Sequence, residues 1–266
     1  MDTNSTFSIS NLFSVTDKVA VVTGGSRGIG RMIASGLVQA GAKVYISSRK
    51  AEICEQVAVE LSADGTCIAL PADLSTAEGV HQLAQAVADR EQQVDILVNN
   101  AGATWGAPLL DYPDEAWDKV LGTNLKAVFS LTTELMPLLK QSASSDDPAR
   151  VINIGSVDGI RVPDTENYAY SASKAAVHML TRQLAHRLAS SHITVNAIAP
   201  GPFPSKMLAF ILDEEGGEQM LSSGVPLGRI GSPEDVAGTV LYLSSRAGSY
   251  VTGSIIAVDG GISTHG

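Results

Sequence analysis

The segment Lys18–Gly30 reads KVAVVTGGSRGIG, and it decides the fold of the chain. Its first part, Lys18–Thr23, is a β-branched apolar run that is typical of a buried strand. A glycine loop follows at Gly24–Gly30, and the helical pattern behind it runs to about residue 40, where Gly41 ends it. A second strand pattern begins at Val44. Strand, glycine loop, helix and strand predict the βαβ unit that binds a dinucleotide, with a purely structural turn as the alternative.

The glycines of this loop have a physical reason to be there. They permit a tight turn and a close approach of a pyrophosphate, to which the following helix offers its free N–H groups. Arg31 and Met32 stand where a Walker A loop requires Lys and Ser or Thr. The loop is therefore not a P-loop of the nucleoside-triphosphatase type.

The rest of the chain alternates between helical and strand patterns. Further helices are expected at about 51–63, 76–91, 168–190 and 233–245, with a long helical zone up to about 141, and further strands at 66–70, 95–99, 150–155, 192–198 and 255–258. Seven strands alternating with helices predict an α/β single-domain Rossmann fold, with a doubly wound seven-stranded parallel sheet flanked by helices. We expect residues 1–16 to form a loosely ordered arm before a domain at 17–266, with a substrate loop at about 203–224.

Composition narrows the class of protein. The chain has 266 residues, of which 44% are hydrophobic and 17% charged, enough for one large core. Its formal net charge of −10 argues against nucleic acid and anionic membrane surfaces as partners. No apolar run approaches the length of a membrane span, and the N-terminal residues do not form a signal peptide. Cys54, Cys67 and five scattered histidines form no disulfide framework or metal motif, so we expect a cytoplasmic protein without a metal.

Tyr170 and Lys174 lie one helical turn apart on one face of a predicted helix. A free tyrosine has a pKa of about 10, and a cation ~4 Å away would lower that pKa by ~3 units. Such a tyrosine could exchange a proton with a substrate oxygen near neutral pH. The same spacing also occurs by chance on exposed helix faces.

Several polar or glycine-containing segments follow predicted strands directly. They are Asn99–Gly102, Ser156 and Pro200–Gly201. Ligands of doubly wound sheets bind beyond the carboxyl ends of the strands. The segments and the helix that carries Tyr170 are therefore expected to meet in one crevice.

From about Asp17 to Gly261 the chain resembles the short-chain dehydrogenase/reductase family. The resemblance rests on the glycine loop TGGSRGIG at 23–30, an Asp-Leu pair at 73–74, NNAG at 99–102, the Pro-Gly pair at 200–201, and the four residues Asn124, Ser156, Tyr170 and Lys174. It implies that Tyr170 donates a proton to a carbonyl while a nicotinamide delivers hydride. Lys174 would lower the pKa of Tyr170 and hold the nicotinamide ribose. Ser156 would orient the carbonyl, and Asn124 would hold a water that links Lys174 to solvent; a strand-end cap and a helix kink are the alternatives for these two.

The cofactor implied by the residues is NADPH. An acidic residue that would bond the ribose 2′-hydroxyl of NADH is missing after the second strand, where the chain reads Ser47-Ser48-Arg49. Arg27 and Arg49 would face a 2′-phosphate and favour NADPH by on the order of a hundredfold, unless both are merely solvated. By resemblance the cofactor contacts are Gly24, Ser26, Arg27, Gly28, Ile29, Gly30, Arg49, Asp73, Leu74, Asn100, Ala101, Gly102, Tyr170, Lys174, Pro200, Gly201, Phe203 and Ser205.

Within the family the chain is most similar to 3-oxoacyl (β-ketoacyl) reductases. The resemblance implies reduction of a 3-oxoacyl thioester in fatty-acid or rhamnolipid precursor synthesis, and a homotetramer. An acyl channel could be lined, or the core simply packed, by Trp105, Val157, Ile160, Phe203, Met207 and Phe210. Ser144–Pro148 and Ser191 stand where relatives that use acyl carrier protein are basic, although Lys140 and Arg150 flank the first of these. A CoA thioester, another ketone such as a sugar, steroid or quinone, or an NADP-binding regulator without turnover are the alternatives.

Overall fold

The computed structural model describes residues 8–205, 208, 214 and 216–264. Within them one sheet of seven parallel strands has the order β3-β2-β1-β4-β5-β6-β7. The strands are β1 Val19–Thr23, β2 Lys43–Ser47, β3 Thr66–Ala69, β4 Ile96–Asn99, β5 Ala149–Ile154, β6 Ile193–Pro200 and β7 Ile255–Val258. The predicted doubly wound α/β fold is confirmed.

Ten α-helices connect and flank these strands in the described part of the chain. They are α1 Ile9–Leu12, α2 Gly28–Gln39, α3 Ala51–Leu61, α4 Ala77–Ala88, α5 Asp114–Leu121, α6 Ala127–Glu134, α7 Met136–Ser142, α8 Tyr168–Leu188, α9 Gly217–Ser223 and α10 Pro233–Ser244. A π-helical turn, Gly122–Lys126, joins α5 to α6. None of these helices is both long and apolar enough to cross a bilayer.

The two faces of the sheet carry separate apolar cores. In β1, Ala20 and Val22 belong to the core beneath α2, α3 and α10, whereas Val19 and Val21 belong to the core beneath α4, α6, α7 and α8. All five residues of β1 are buried, as expected for a strand covered on both faces. This is why the strands read as continuous apolar runs rather than as alternating ones.

Successive strands are added to the sheet first on one side of β1 and then on the other. β2 and β3 extend on one side of β1, and β4 to β7 extend on the other. The helices that follow β1 and β4 therefore lie on opposite faces of the sheet, and the carboxyl edge at this point is the ligand position of such folds. The glycine loop after β1 and Asn99–Gly102 after β4 lie at this point.

Two segments differ from, or extend, what the sequence indicated. Within Ser8–Thr16, Ile9–Leu12 forms a helical turn without a buried residue, and Val15 is fully buried in the core. Part of the 203–224 segment is helical, at Gly217–Ser223. The remaining predictions for residues 1–7 and for 206–207, 209–213 and 215 lie outside the described residues.

Candidate active site

The glycine loop has a shape that only glycine allows at two positions. Gly24 and Gly28 have φ angles of +67° and +50°, in the left-handed region that glycine enters without strain. A Cβ on Gly24 would lie 2.7 Å from Asn100 Nδ2, and one on Gly30 would overlap the same amide. The loop is thus a bare backbone cradle at the N-terminus of α2, which fits a pyrophosphate group.

Thr23 joins this cradle to the loop after β4. Its Oγ1 accepts hydrogen bonds from Asn100 N and Ala101 N, both at 2.9 Å, and Asn100 Nδ2 donates to Thr23 O at 2.8 Å. Each loop therefore fixes the backbone of the other. Thr23 was not among the predicted site residues, although its position at the end of β1 was a usable signal.

The ends of β1, β2 and β3 meet beside the cradle. Gly25 N donates to Ser47 O at 3.2 Å, and Ala72 N donates to Ser48 O at 3.2 Å. This arrangement places Arg49 beside Asp73, whose pKa is raised by burial but lowered on balance by Ser75 and by the charge of Arg49. The side chains of Arg27 and Arg49 are both exposed. Both guanidinium groups are therefore free to meet a phosphate from solvent.

Of the other expected cofactor contacts, some lie at the crevice and some have side chains that are buried in the core. Ser205 lies over the cradle, since a Cβ on Gly28 would be 3.3 Å from Ser205 Cβ. Pro200 ends β6, and Gly201 N donates to Val258 O at 3.0 Å. Leu74 and Phe203 are 7% and 2% exposed, with side chains packed in the cores, so any contact they make with a cofactor comes from the backbone.

Tyr170 and Lys174 lie in the first two turns of α8, facing the carboxyl end of β5. Lys174 Nζ donates to Ile154 O at 2.7 Å and lies 5.5 Å from the centroid of the Tyr170 ring. Gly102 is next to both this amine and Asn124, because a Cβ there would be 3.9 Å from Lys174 Nζ and 3.4 Å from Asn124 Oδ1. The structure therefore brings together the NNAG loop, the tyrosine helix and Asn124.

The expected lowering of the pKa of Tyr170 by Lys174 is wrong for this structure. Burial raises the pKa of Tyr170 to about 12, the Ser156 hydroxyl acts in the opposite direction, and the charge of Asp158 adds to the increase. Burial also lowers the pKa of Lys174 to about 8. Desolvation penalises both charged forms, and it is the largest cause of both shifts.

Ser156 begins a one-turn 3-10 helix, Val157–Gly159, directly after β5. Its Oγ accepts a hydrogen bond from Asp158 N at 3.1 Å. Ser156 therefore acts as the strand-end cap that was the alternative to a catalytic role. It also serves chemistry, because an oxygen that accepts the Asp158 N–H keeps its own proton to donate elsewhere.

Asn124 lies inside the π-helical turn, so the helix irregularity that was its structural alternative is present. Its side chain accepts from Ala103 N at 2.8 Å and donates to Ala103 O and Ser173 Oγ, both at 2.9 Å. These bonds tie the helix to the NNAG loop and to α8. π-turns of this kind often mark functional sites, and the water that Asn124 was expected to hold stays a prediction.

A buried polar chain beneath the site was missed by sequence reasoning. Asn99 Nδ2 donates to Asn153 Oδ1 and Thr132 Oγ1, at 2.9 and 3.2 Å, and Asn153 Nδ2 donates to Thr181 Oγ1 at 2.9 Å. It crosses β4, β5, α6 and α8. Its only sequence signal is an asparagine at or next to the end of each of two mainly apolar strands.

Of the side chains proposed to line an acyl channel, some are buried in the core and others are exposed. Val157 packs against Val225 and Ile262, and Phe203 packs against Gly231, so both are core residues. Ile160 is 48% exposed. Trp105 is partly exposed, with Lys119 Nζ 4.8 Å above its ring. Met207 and Phe210 lie outside the described residues.

The dinucleotide cradle and the Ser-Tyr-Lys cluster in one crevice define a dinucleotide-dependent oxidoreductase. A family model described as enoyl-(acyl carrier protein) reductase matches residues 24–263. The chain belongs to this family, the short-chain dehydrogenases/reductases.

Relatives and solved structures agree with that assignment. The chain is 51% identical to the rhamnolipids biosynthesis 3-oxoacyl-[acyl-carrier-protein] reductase of Pseudomonas aeruginosa, over 94% of this chain and 97% of the relative. It is 40% identical to the 3-oxoacyl-[acyl-carrier-protein] reductase FabG of Staphylococcus aureus, over 92% and 98%. The Pseudomonas aeruginosa RhlG/NADP active-site complex superposes with a TM-score of 0.93 at 50% identity, covering 95% of this chain and 99% of that one.

Proposed function

We propose that the chain catalyses NADPH-dependent reduction of a 3-oxoacyl thioester to the 3-hydroxyacyl form, for fatty-acid or rhamnolipid precursor synthesis. One observation carries the proposal: Ser156, Tyr170 and Lys174 lie around the carboxyl end of β5, beside a glycine cradle flanked by two exposed arginines. Two relatives named 3-oxoacyl reductases, at 51% and 40% identity, support the substrate class.

The residues present fit NADPH. The glycine-rich cradle at Gly24–Gly30 would take the pyrophosphate, and Arg27 and Arg49 would take the 2′-phosphate. Gly102 and Lys174 would lie at the nicotinamide ribose. When bound, NADPH supplies the hydride for the carbonyl carbon.

The protein supplies the proton and orients the carbonyl. Because its pKa is raised to about 12, Tyr170 carries its proton at pH 7 and is a donor rather than a base in the cofactor-free protein. Ser156 has a free hydroxyl proton to direct at the same carbonyl oxygen. With hydride supplied to the carbonyl carbon, proton transfer from Tyr170 to the carbonyl oxygen would complete the reduction of the ketone to the alcohol.

NADPH consumption with a panel of substrates tests this function. We would offer 3-oxoacyl chains of several lengths, each as a CoA thioester and on acyl carrier protein. Arg150, one of two basic residues next to the acidic 144–148 segment, is 1% exposed and paired with Asp147, so it is not available to an acidic carrier. We therefore expect turnover on CoA thioesters to equal or exceed that on the carrier protein.

The panel also separates the alternatives. No turnover with any 3-oxoacyl thioester, together with retained NADPH binding, would contradict the proposal and favour a different ketone. A sugar, steroid or quinone ketone would then be tested with the same protein. Turnover of no ketone at all would favour a regulator that binds NADP.

We further propose a cytoplasmic homotetramer. The free, buried thiols of Cys54 and Cys67 are typical of a reducing compartment. Phe129 on α6 and Met179 on α8 are 47% and 60% exposed, which fits a face covered by another copy. Light scattering should give four times the mass of the chain; a monomeric mass would contradict this.

A further inference from the structure

Asp158 is a partly buried carboxylate that the proposed chemistry does not use. It is the second residue after Ser156, in the 3-10 turn that follows β5, and its N–H bonds the Ser156 hydroxyl at 3.1 Å. Burial raises the pKa of this carboxyl, against the opposing effects of Asn167, Arg161 and Lys174. The carboxylate therefore belongs to the same short turn as the Ser156 hydroxyl.

The side chain of Asp158 is joined to α8 through one residue. Asn167, the N-cap residue of α8, donates from Nδ2 to Asp158 Oδ2 at 3.3 Å. The Oδ1 atom of Asn167 accepts from Ser171 Oγ at 2.9 Å. The serine turn and the first turn of α8, which carries Tyr170, are therefore held together by Asp158 and Asn167.

The charges facing Asp158 come from its own loop and from α8. Arg161 lies three residues further along the loop, and Lys174 and Tyr170 face it from α8. His178 packs on Gly155 and Gly159 in the next turn of α8, and burial lowers its pKa to about 4, so it is neutral at pH 7. The charge of Asp158 raises the pKa of Tyr170 and also of Lys174, where it opposes desolvation.

We propose that Asp158 is a positioning residue of the site. Its carboxylate, tied through Asn167 to the first turn of α8, keeps Tyr170 and Lys174 in their proton-carrying forms. A negative charge stabilises both the neutral phenol and the ammonium relative to their deprotonated forms. The residue thereby holds Tyr170 and Lys174 in the protonated state from which ketone reduction starts. Only this last point rests on the proposed function.

The first test measures the titration of Lys174 without turnover. NMR of isotopically labelled lysine side chains in the cofactor-free protein follows the Lys174 signal, which is identified by its loss in Lys174→Arg. Asp158→Asn removes the charge and can still accept the Asn167 bond. We expect the Lys174 midpoint, near pH 8 in the wild type, to fall by about half a pH unit or more in this variant.

Two further variants make the result specific. Asp164→Asn makes the same charge change at an exposed position in the same loop, and its Lys174 midpoint should match the wild type. Asp158→Ser repeats the charge removal if Asp158→Asn does not fold. An unchanged midpoint in the folded Asp158 variant would overturn the proposal, as would an equal shift in Asp164→Asn.

The second test follows turnover against pH. In Asp158→Asn the alkaline limb of kcat for reduction should move to lower pH, with KM nearly unchanged, because Tyr170 and Lys174 lose their protons sooner. A profile identical to that of the wild type would overturn the role. Absence of turnover in the wild type would instead contradict the proposed function, and the NMR titration would still decide the role of Asp158.

Discussion

At the residue scale, we propose that Arg49 sets the preference for NADPH. It is exposed beside Asp73, past the end of β2, where an enzyme that selects NADH carries an acid. Arg49→Ala should weaken NADPH binding roughly tenfold or more and leave NADH binding nearly unchanged, because only NADPH has the 2′-phosphate. Cofactor titration by fluorescence measures both dissociation constants.

Lys50→Ala is the matched control for Arg49. It removes the same charge one residue further along, at another exposed position. It should affect NADPH binding much less than Arg49→Ala does. Equal weakening of NADPH and NADH by Arg49→Ala would remove the basis for the assignment.

His178 should make the protein sensitive to acid. Burial, followed by the charge of Lys174, lowers its pKa from 6.5 to about 4. Between these values the unfolded chain binds the proton and the folded chain does not, so stability falls as pH drops through this window. The loss amounts to up to about 3 kcal/mol.

Denaturant unfolding at pH 7 and pH 4.5 measures this effect. His178→Asn should lose less stability than the wild type between the two pH values, since it has no imidazole to protonate. His186→Asn, at an exposed position two turns along α8, should keep the wild-type loss. The same pH dependence in all three proteins would contradict the role given to His178.

Individual residues were predicted unevenly from the sequence. Tyr170, Lys174 and Ser156 could be proposed as site residues because their positions along the chain match a family pattern, and their catalytic roles stay predictions. The pKa of Tyr170 could not, since it depends on burial and on Asp158, which no spacing rule reveals. Phe203 was assigned to a ligand surface and is 2% exposed, because a loop residue carries no sequence mark of which way it faces.

At the element scale, the buried asparagine chain holds the strands that carry the site. Asn153 accepts from Asn99 and donates to Thr181, and all three are buried. Asn153→Leu should lower the free energy of unfolding by about 2–4 kcal/mol, because it leaves buried polar partners unpaired. Denaturant titration at one fixed protein concentration measures the change.

A double-mutant cycle measures the interaction energy between the Asn99 and Asn153 side chains. Asn99→Leu combined with Asn153→Leu should cost less than the sum of the single changes, because the second replacement removes a group that the first left unpaired. Strict additivity would show that the two side chains do not interact in the folded protein.

Helix irregularities illustrate what sequence patterns miss at this scale. Periodicity predicted one long helical zone before β5, and the structure divides it at the π-turn Gly122–Lys126 and again at Leu135. The hydrogen bonds of Asn124 to Ala103 and Ser173 stabilise the π-turn. These partners are distant in sequence, so helix periodicity alone contains no trace of the turn.

At the scale of the whole molecule, the parallel sheet could be predicted from the sequence. The side-chain packing at the amino ends of its strands could not. The doubly wound sheet of seven parallel strands follows from the alternation of strand and helix patterns. The contacts of the buried Arg150 do not follow from any sequence pattern. Arg150 pairs with Asp147 at 2.8 Å and donates to Ser245 O at 3.0 Å. Lys18 also pairs with Asp147, at 2.6 Å. This cluster lies at the amino ends of the strands, whereas the crevice lies at their carboxyl ends. We therefore interpret it as a structural ion pair that takes no part in the site.

The transfer of hydride and proton within one crevice is tested most directly with labelled cofactor. The wild type is given a 3-oxoacyl thioester and NADPH with deuterium at its transferable position, and mass spectrometry locates the label. We expect deuterium at carbon 3 of a 3-hydroxyacyl product, with kcat reduced at least a hundredfold in Tyr170→Phe and near normal in Tyr168→Phe, and with NADPH binding kept in both. Product without the label at that carbon, or near-normal turnover in Tyr170→Phe, would contradict the mechanism.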